Sequence, residues 1–305
     1  MKIGIVGAGG VGGYFGARLA AAGQDVAFVA RGKHLEAIGS DGLVVHSPDG
    51  DLRQPVRATD DPAQLGVVDY ALVCVKTWQL PEVIESIRPL VGPDTAIVTV
   101  QNGVEAPGQV AKVYGEHAVL PGAAEVIAYV ESPGVIRHLG NGKLSFGEWG
   151  NGTTSRVEAL RDAFVGAGLQ AAIPEDIWVA LWTKFLSVVP GGGLGTATGA
   201  GYGVLRKQPA TRQLLTEATA EIRDLAVARG VRLPADVVDR TLDWIDQLPA
   251  DGTTSLQRDL IAGWPSELDA WTGAVVRLGR ESRVPTPINT LLFELATARV
   301  LATGN

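Results

Sequence analysis

Cysteine is almost absent from this chain of 305 residues, and its scarcity excludes two kinds of structural cross-link. The single cysteine, Cys74, has no second thiol with which to form a disulfide, and one thiol cannot build a cysteine zinc site. Chains that need no disulfide suit a reducing compartment, so we expect a cytoplasmic protein.

Runs of positive charge and long apolar runs are missing as well. The 26 Lys and Arg against 33 Asp and Glu give a formal net charge of −7, and without basic clusters nucleic acid is not the expected partner. No uninterrupted apolar stretch reaches the roughly 18 residues of a membrane span. The chain enters a strand-like segment at Lys2 without the charged region and cleavage site of a secretory signal, so export is not indicated either.

Glycine, in contrast, is abundant, with 39 residues or about 13% of the chain against an ordinary level of about 7%. The length suggests two domains at about 150 residues each, and the hydrophobic fraction of 46% is typical of a globular protein. The glycines concentrate at the N-terminus and between Gly191 and Gly203. The two clusters differ in spacing and therefore predict different roles.

The N-terminal cluster contains the pattern G-x-G-x-x-G in the consecutive residues Gly7, Ala8, Gly9, Gly10, Val11 and Gly12. Apolar strands are predicted before it, over Lys2–Val6, and after it, over Asp25–Ala30, with a helix over Tyr14–Ala22 between them. This order of strand, turn, helix and strand is the setting in which the pattern binds a dinucleotide, because its glycines let the backbone approach a pyrophosphate at the helix N-terminus.

Charge at the end of the second predicted strand distinguishes the two nicotinamide cofactors. An acidic side chain there would bind the ribose 2′-hydroxyl of NAD, but this chain has Arg31 and Lys33. Two cations suit the 2′-phosphate of NADP, which we therefore expect as the cofactor. The alternative is that both are solvated loop charges.

Strand and helix patterns alternate through the first half and predict a parallel sheet covered by helices. Strands are expected over Asp69–Val75 and Thr95–Val100, with a helix over Leu80–Leu90 between them. Lys76 and Asn102 follow these two strands at the sheet edge where ligands bind. For each of them an ordinary exposed or turn position is the alternative.

Three short strand-like runs between Ala118 and Gly147 predict antiparallel additions to the sheet, with turns at Pro133-Gly134 and Asn141-Gly142. A helix over Arg156–Ala167 and a strand over Leu169–Ile173 follow. The sequence thus predicts an α/β dinucleotide-binding domain over residues 1–173.

Strand patterns disappear after Pro174, and residues 174–305 are predicted to form an all-α domain. A helix is expected over Asp176–Val189, which Pro190 ends or kinks, and Lys184 borders its apolar stripe, where a lysine commonly reaches solvent. The second glycine cluster lacks a phosphate-binding pattern and predicts close chain packing or a hinge.

Further helices are expected over Thr211–Arg229, Ala235–Gln247, Glu267–Arg280 and Thr290–Ala302. Ser266 is the expected N-cap of the third, with Glu267 in its first turn, where a carboxylate complements the helix dipole.

Together these features resemble the ketopantoate reductase (2-dehydropantoate 2-reductase) family over nearly the whole chain. Besides the glycine turn, the resemblance rests on the segments 75–79, 101–103, 181–185, 254–259, 266–269 and 284–289. It implies a Rossmann-type N-terminal domain with an all-α C-terminal domain, and the NADPH-dependent reduction of a 2-keto acid, ketopantoate, in pantothenate biosynthesis.

The resemblance also implies roles for individual residues. Lys184 would be the general acid that protonates the carbonyl oxygen, and Glu267 the carboxylate that bonds the substrate hydroxyl and orients the lysine. Asn102 and Lys76 would lie near nicotinamide and substrate, and Ser255 would bind the substrate carboxylate. The residues expected to bind the cofactor are Gly7, Ala8, Gly9, Gly10, Val11, Gly12, Arg31, Lys33, Lys76 and Asn102.

Three positions depart from the family pattern. Val188, Gly192 and Thr272 stand where the family commonly has asparagines. Fewer amide groups favour a larger or more apolar 2-keto acid as an alternative substrate. A hydroxy acid dehydrogenase working in the oxidative direction and a catalytically silent NADP(H) sensor are the competing hypotheses about function. The helical half has enough apolar residues for a homodimer, without proving one.

Overall fold

The computed structural model describes residues 1–302, and the chain divides into two units. The first unit comprises Met1–Gln101 and Ala106–Ile177, and the second comprises Asn102–Glu105 and the chain from Trp178 onward. The short segment Asn102–Glu105 therefore makes its contacts with residues far along the sequence.

The first unit is built on a mixed sheet. Its strands are β1 Lys2–Val6, β2 Asp25–Val29, β3 Leu43–His46, β4 Leu52–Gln54, β5 Arg57–Thr59, β6 Tyr70–Val73, β7 Ala96–Thr99, β8 Val119–Ser132, β9 Val135–Phe146 and β10 Gln170–Ala172. They run across the sheet in the order β4-β3-β9-β8-β7-β6-β1-β2-β5, with β10 beside β9. The strands β5, β2, β1, β6, β7 and β8 pair in parallel, as the alternating pattern predicts.

Helices cover both faces of this sheet, so its central strands are buried on both sides. In β6 the side chains of Tyr70 and Leu72 join one core, and those of Ala71 and Val73 join another. This division follows from the two-residue period of a strand and explains why such strands are continuously apolar. The helices are α1 Gly10–Ala21, α2 Gly32–Asp41, α3 Leu80–Ser86, α4 Ala106–Tyr114 and α5 Ser155–Gly166.

The region between Ala118 and Gly147 differs from its prediction. It forms two long antiparallel strands, β8 and β9, joined at Pro133-Gly134 as expected. The predicted turn at Asn141-Gly142 is wrong, because these residues lie inside β9 and form a bulge, where Asn141 has φ 57° and Gly142 has φ 145°. An Asn-Gly pair favours positive φ, and both a turn and a bulge satisfy that preference.

Two local predictions in the first unit also need correction. Helix α1 begins at Gly10, four residues before the predicted start, so the glycine pattern runs into the first helical turn. Lys33 lies in helix α2 and not in a loop, because the chain turns into that helix directly after β2. The sequence patterns did not predict α2, α4 or the short strands β3, β4 and β5.

The second unit contains helices and loops but no strand within its described residues. Its helices are α6 Ile177–Thr198, α7 Tyr202–Lys207, α8 Pro209–Ala228, α9 Val237–Gln247, α10 Ser255–Ile261, α11 Ala274–Ser282 and α12 Pro287–Ala302, with a π-helical turn over Asp269–Gly273 before α11. The sequence predicts that Pro190 ends or kinks the first of these helices. Pro190 does not end it, since α6 continues for eight residues beyond Pro190.

Helix α6 forms the centre of this unit. The residues from Val189 to Thr196 are buried, and this packing offsets the hydrogen bond that Pro190 cannot donate. It is the one helix within residues 1–302 that is long and apolar enough to cross a membrane, with a mean hydropathy of 1.3. Because 61% of that apolar window is buried inside the structure, the core accounts for its composition.

The start of helix α12 shows why the segment 284–289 has its particular sequence. The backbone N–H groups of Ile288 and Asn289 donate to the carboxylate of Glu221 at 2.7 and 2.9 Å. The buried side chain of Asn289 also donates to Glu221, at 2.7 Å, and to the carbonyl of Ala218, at 3.0 Å. This segment therefore fastens α12 to α8.

Candidate active site

In the first unit the chain turns sharply between β1 and α1, at Gly7. Its φ of +100° is unfavourable for any residue with a Cβ, and a Cβ there would lie 2.8 Å from Val75 Cγ1. The N–H of Gly7 donates to the carbonyl of Val29 at 3.0 Å, which ties the turn to the end of β2. The position thus requires glycine for its backbone conformation and for its close neighbours.

Gly9 and Gly12 meet different surroundings. A Cβ on Gly12 would overlap the carbonyl oxygen of Gly7 and would lie 2.9 Å from both Cys74 Cβ and Ile5 Cγ2. A Cβ on Gly9 would meet no atom within 4 Å. Gly12 therefore serves the packing of helix on strand, whereas the space beside Gly9 stays open.

The N-terminus of helix α1 suits a bound phosphate. Its N-cap is Gly9, which has no side chain to cap the first N–H groups, and its first turn has no acidic residue. Uncapped N–H groups and the positive end of the helix dipole attract anions. The open space at Gly9 and this helix end fit the pyrophosphate of a dinucleotide.

His34 is a residue of this region that the sequence reasoning missed. Its Nε2 lies 2.7 Å from the carbonyl oxygen of Ala8, and the N–H of Gly134 donates to its Nδ1 at 2.9 Å. Because Nδ1 accepts, Nε2 carries the proton and donates to Ala8. The imidazole thus holds the glycine turn to the β8–β9 connection. Only its position shortly after β2 could have drawn attention to it.

The two cations expected to bind a 2′-phosphate are exposed. Arg31 forms an ion pair with Glu82 at 2.9 Å, in which the two side chains are 59% and 67% exposed. Lys33 is exposed on α2. A pair this exposed contributes at most about 1 kcal/mol, so Arg31 is held only weakly by Glu82.

Lys76 follows the carboxyl end of β6 and is half-buried. Its backbone N–H donates to Gln79 Oε1 at 3.2 Å. The buried amide of Gln101 donates from Nε2 to the carbonyls of Val73 and Val75, at 2.7 and 3.0 Å, and so fixes the chain that leads to Lys76.

The single cysteine, at the end of β6, is not a reactive group. Burial raises the pKa of the Cys74 thiol to about 12, so it stays protonated at neutral pH. Thiolate chemistry therefore has no part in the site of this unit.

In the second unit the fold brings two predicted site residues together. Asn102 Nδ2 donates to Glu267 Oε2 at 3.3 Å, although the two residues are 165 positions apart in the sequence. The Glu267 side chain is deeply buried, with the residue 4% exposed. Buried carboxylates require hydrogen-bond partners, and the Asn102 amide supplies one.

The backbone at Glu267 differs from its prediction. Ser266 does not cap a helix, and Glu267 is not in a first helical turn, because both precede the π-helical turn whose N-cap is Leu268. The carbonyl of Glu267 accepts the N–H of Trp271 at 3.0 Å. Glu267 is thus held by both its backbone and its side chain at the entrance to an irregular turn.

The segment Asn102–Glu105 and the π-helical turn are linked by further contacts. Arg277 donates to Glu105 Oε2 at 2.8 Å and to Asp269 Oδ1 at 2.7 Å. Gly103 has φ +121°, and a Cβ there would lie 3.1 Å from the carbonyl of Ala270. These contacts hold Asn102 beside Glu267.

Lys184 is half-buried on helix α6. Lys184, Val188 and Gly192 follow one another at four-residue intervals, so they lie along one face, with Gly192 about 12 Å further along the axis than Lys184. The two positions that depart from the family pattern thus follow the lysine along its own helix.

The second glycine cluster receives neighbouring chain segments. A Cβ on Gly192 would lie 2.7 Å from Trp271 Cζ3, and one on Gly195 would lie 2.6 Å from Gln257 Oε1. Ser255 is the first residue of α10 and is half-buried, and its neighbour Leu256 also reaches the Gly192 position, at 3.5 Å. The glycines at 191, 192, 193 and 195 therefore allow close chain packing within helix α6, which is one of the two interpretations of the cluster.

Metal chemistry has no candidate site in the described part of the chain. Residues 1–302 contain no group of three or more His, Cys, Asp or Glu side chains placed to hold an ion.

Comparison with known proteins adds an independent observation. The family model described as "Ketopantoate reductase PanE/ApbA" matches residues 3–151, and that described as "Ketopantoate reductase PanE/ApbA C terminal" matches residues 176–300. A 2-dehydropantoate 2-reductase of Mesorhizobium japonicum is 34% identical over 323 residues, which cover 99% of this chain and 98% of that protein.

Solved structures give the same picture. A PanE/ApbA family ketopantoate reductase from Ralstonia eutropha is 29% identical, with a TM-score of 0.92 and full coverage of both chains. A D-mandelate dehydrogenase in complex with NADH and anilino(oxo)acetate also has a TM-score of 0.92, but at 23% identity it shows a likeness of fold alone.

Proposed function

Because this chain belongs to the ketopantoate reductase family, we propose that it is an oxidoreductase that reduces a 2-keto acid to a 2-hydroxy acid with NADPH. The observation that carries the proposal is the buried carboxylate of Glu267 held by the Asn102 amide at 3.3 Å. A silent cofactor sensor would have no use for such a carboxylate, nor for a half-buried lysine at position 184.

The glycine turn is the part of the chain that we assign to the cofactor. The N–H groups at the start of α1 would bind the pyrophosphate beside Gly9, where the structure leaves space. Arg31 and Lys33 would bind the 2′-phosphate, and Lys76 and Asn102 would lie toward the nicotinamide. The reduced nicotinamide supplies the hydride when it is bound.

Lys184 and Glu267 have the chemistry that the reduction needs. Hydride addition to a keto carbon leaves negative charge on oxygen, and Lys184 Nζ would stabilise that charge and transfer a proton to the oxygen. Positioned proton transfer of this kind contributes about 10²- to 10⁴-fold in rate. Glu267 would accept a hydrogen bond from a hydroxyl of the substrate and orient the lysine, and Ser255 would bind the substrate carboxylate.

Substrate identity depends on the surroundings of the lysine. Ketopantoate is our first candidate, and a more apolar 2-keto acid is the second, because Val188 and Gly192 offer no hydrogen bond from their side chains along the helix face of Lys184.

Oxidation of NADPH with a panel of keto acids tests the reaction and the substrate together. The panel comprises ketopantoate, 2-ketoisovalerate and phenylglyoxylate. Oxidation of NADPH is followed as the loss of its absorbance at about 340 nm. We expect turnover of ketopantoate, and a higher kcat/KM for one of the two apolar acids would establish the second candidate. Absence of turnover with every acid, with NADPH still bound, would refute the enzyme proposal.

Replacement of the lysine tests the site. We expect Lys184→Ala to lower kcat by about 10²- to 10⁴-fold while NADPH still binds, because the proton donor is removed. Lys207→Ala, which changes an exposed lysine of α7 in the same unit, is the matched control and should leave kcat unchanged. A near-normal kcat for Lys184→Ala would remove Lys184 from the site.

Replacement of Arg31 tests the cofactor preference. We expect Arg31→Ala to weaken NADPH by about 10- to 100-fold and NADH only slightly, since a charge-assisted hydrogen bond to phosphate is worth about 1.5–3 kcal/mol. Arg57→Ala is the control, because Arg57 is equally exposed and also forms an ion pair, with Asp25 at 2.7 Å. Equal weakening of both cofactors would remove the 2′-phosphate assignment.

The proposal also covers where the enzyme works and in what assembly. A single cysteine with a protonated thiol suits the cytoplasm. A homodimer stays a prediction, which sedimentation of the purified protein measures directly.

A further inference from the structure

We propose that Trp271 is a positioning residue for Glu267, and that Gly192 is glycine because the indole ring of Trp271 must rest against helix α6 at that point. The inference rests on the proposed function, in which Glu267 and Lys184 act on the same substrate. It adds a residue pair, Gly192 and Trp271, that touches neither cofactor nor reacting atoms but determines where Glu267 stands.

The first step is the contact between ring and helix. Trp271 is 2% exposed, and two atoms of its ring edge, Cζ3 and Cε3, lie 2.7 and 2.9 Å from the Cβ position on Gly192. Real Cβ atoms do not approach neighbours this closely, so a side chain at position 192 forces either the ring or the backbone of α6 to shift. The contact of the ring with α6 therefore fixes the position of the π-helical turn relative to the helix that carries Lys184.

The second step runs through the backbone. The N–H of Trp271 donates to the carbonyl of Glu267 at 3.0 Å and also approaches that of Leu268 at 3.3 Å. The N–H of Gly273 donates to the Leu268 carbonyl at 3.2 Å, which closes the wide π-helical turn. A displacement of Trp271 therefore pulls on the peptide group of Glu267 itself.

The third step is that the π-helical turn is held by contacts on two sides. Thr272 Cγ2 lies 2.9 Å from a Cβ position on Gly193, so two consecutive residues of the turn meet two consecutive glycines of α6. On its other side the turn is fastened by Arg277 to Glu105. Because ring and turn pack together against α6, we expect a ring displaced from Gly192 to shift Glu267 through the hydrogen bond between Trp271 N–H and the Glu267 carbonyl.

The polarity of the turn points the same way. Within residues 1–302, Trp271 Nε1 and Thr272 Oγ1 are buried and have no hydrogen-bond partner. Unpartnered buried polar atoms are unfavourable for stability, and π-helical turns are frequent at functional sites. Stability alone does not favour such a turn next to a buried carboxylate.

Two alanine substitutions on neighbouring glycines form the central experiment. Gly192→Ala places a methyl group against Trp271, whereas the control Gly191→Ala places one 2.7 Å from the Tyr202 ring, which lies on α7. We expect both variants to melt at similarly lowered temperatures. We expect only Gly192→Ala to lower kcat, by about 10- to 100-fold, with KM and the NADPH affinity changed less than about threefold, because misplacement by about 1 Å lowers rates on that scale.

A second substitution tests whether the ring transmits the effect. Trp271→Leu removes the ring atoms that meet the methyl group of Gly192→Ala. We expect Trp271→Leu alone to lower kcat, and the double variant to be more active than the product of the two single effects predicts. Additive effects, or an equal loss of kcat in Gly191→Ala, would overturn the proposal.

A structural measurement separates this inference from the proposed function. In a crystal structure of Gly192→Ala we expect the Glu267 carboxylate to lie more than about 1 Å from its original position and to lose its hydrogen bond to Asn102. An unmoved carboxylate would refute the positioning role whatever the activity. An unreactive wild-type protein in which Glu267 still moves in the variant would refute only the proposed function.

Discussion

Gly9 and Gly192 are two glycines in opposite situations. Around Gly9, in the first unit, a Cβ would meet no atom within 4 Å, whereas at Gly192, in the second unit, it would meet the indole ring of Trp271 at 2.7 Å. The first glycine leaves space outside the protein that a ligand can use. The space beside the second glycine is filled by Trp271, which lies in the π-helical turn that follows the candidate site residue Glu267.

The backbone of the two clusters differs as well. Gly7 has φ +100°, a conformation that other residues rarely adopt, but the glycines of α6 have ordinary helical backbones. Glycine in a helix interior is about 1 kcal/mol less favourable than alanine, so the four glycines at 191, 192, 193 and 195 cost about 4 kcal/mol in helix propensity. Only close packing of other segments against α6 offsets a penalty of that size.

The largest expected effect belongs to the packing glycine of the first cluster. Gly12→Val would drive side-chain atoms into the Gly7 carbonyl and Ile5, and we expect the free energy of unfolding to fall by about 3 kcal/mol or more. The melting temperature should fall by about 5 °C or more, as scanning calorimetry measures. A loss below about 1 kcal/mol would show that helix and strand separate easily, and would contradict the close packing.

An intermediate effect is expected at Gly9, and it should concern the affinity for NADPH and not the stability of the free protein. Gly9→Ala should leave the melting temperature of the free protein nearly unchanged, because its backbone is extended and its Cβ has space. NADPH should bind about tenfold more weakly. At a concentration 100 times the wild-type Kd, stabilisation by NADPH should then fall from about 2.7 to about 1.4 kcal/mol.

The control for this variant is Gly39→Ala on the exposed face of α2, where a Cβ also meets open space. It should change neither stability nor cofactor affinity by much. If Gly9→Ala bound NADPH as well as Gly39→Ala does, the open space at Gly9 would not be a ligand site, and the contrast between the two clusters would disappear.

The smallest effect is expected at Gly195 in the second cluster. A methyl group there meets the Gln257 side chain at 2.6 Å, and that side chain donates to the Ala200 carbonyl at 3.0 Å. Loss of the hydrogen bond, about 1 kcal/mol, is nearly balanced by the helix propensity gained by Gly195→Ala. We expect urea unfolding to show a change within about 1 kcal/mol. A loss above about 2 kcal/mol would show that Gln257 cannot move aside.

Much of the first unit could be predicted from its sequence because local patterns determine it. Strands β1, β2, β6 and β7 are short apolar runs, and each lies within about two residues of its predicted range. The glycine turn was predictable because its spacing reflects backbone requirements at Gly7 and Gly12, which are local. The helices α8 and α12 likewise begin and end within three residues of their predicted bounds.

What could not be predicted depends on distant residues. Pro190 lies inside α6 because buried neighbours hold the helix together beyond it, and no local pattern contains that information. The π-helical turn has no sequence signature, so Glu267 was placed in a regular helix by default. The contact of Asn102 with Glu267 joins residues 165 positions apart, and only the resemblance to a family pointed to both.

The segment Asn102–Glu105 has a consequence for the order in which the molecule is assembled during synthesis. Ribosomes add roughly 5–20 residues per second, so Asn102 leaves the ribosome about 8–33 s before its partner Glu267, 165 residues later. The interval between the synthesis of Glu105 and that of its partner Arg277 is longer still, because they are 172 positions apart. A nascent chain that has passed Ile177 but has not reached Glu267 therefore contains the whole glycine turn while its Asn102 has no carboxylate to bond. In a growing chain, the glycine turn is complete well before the candidate site for chemistry.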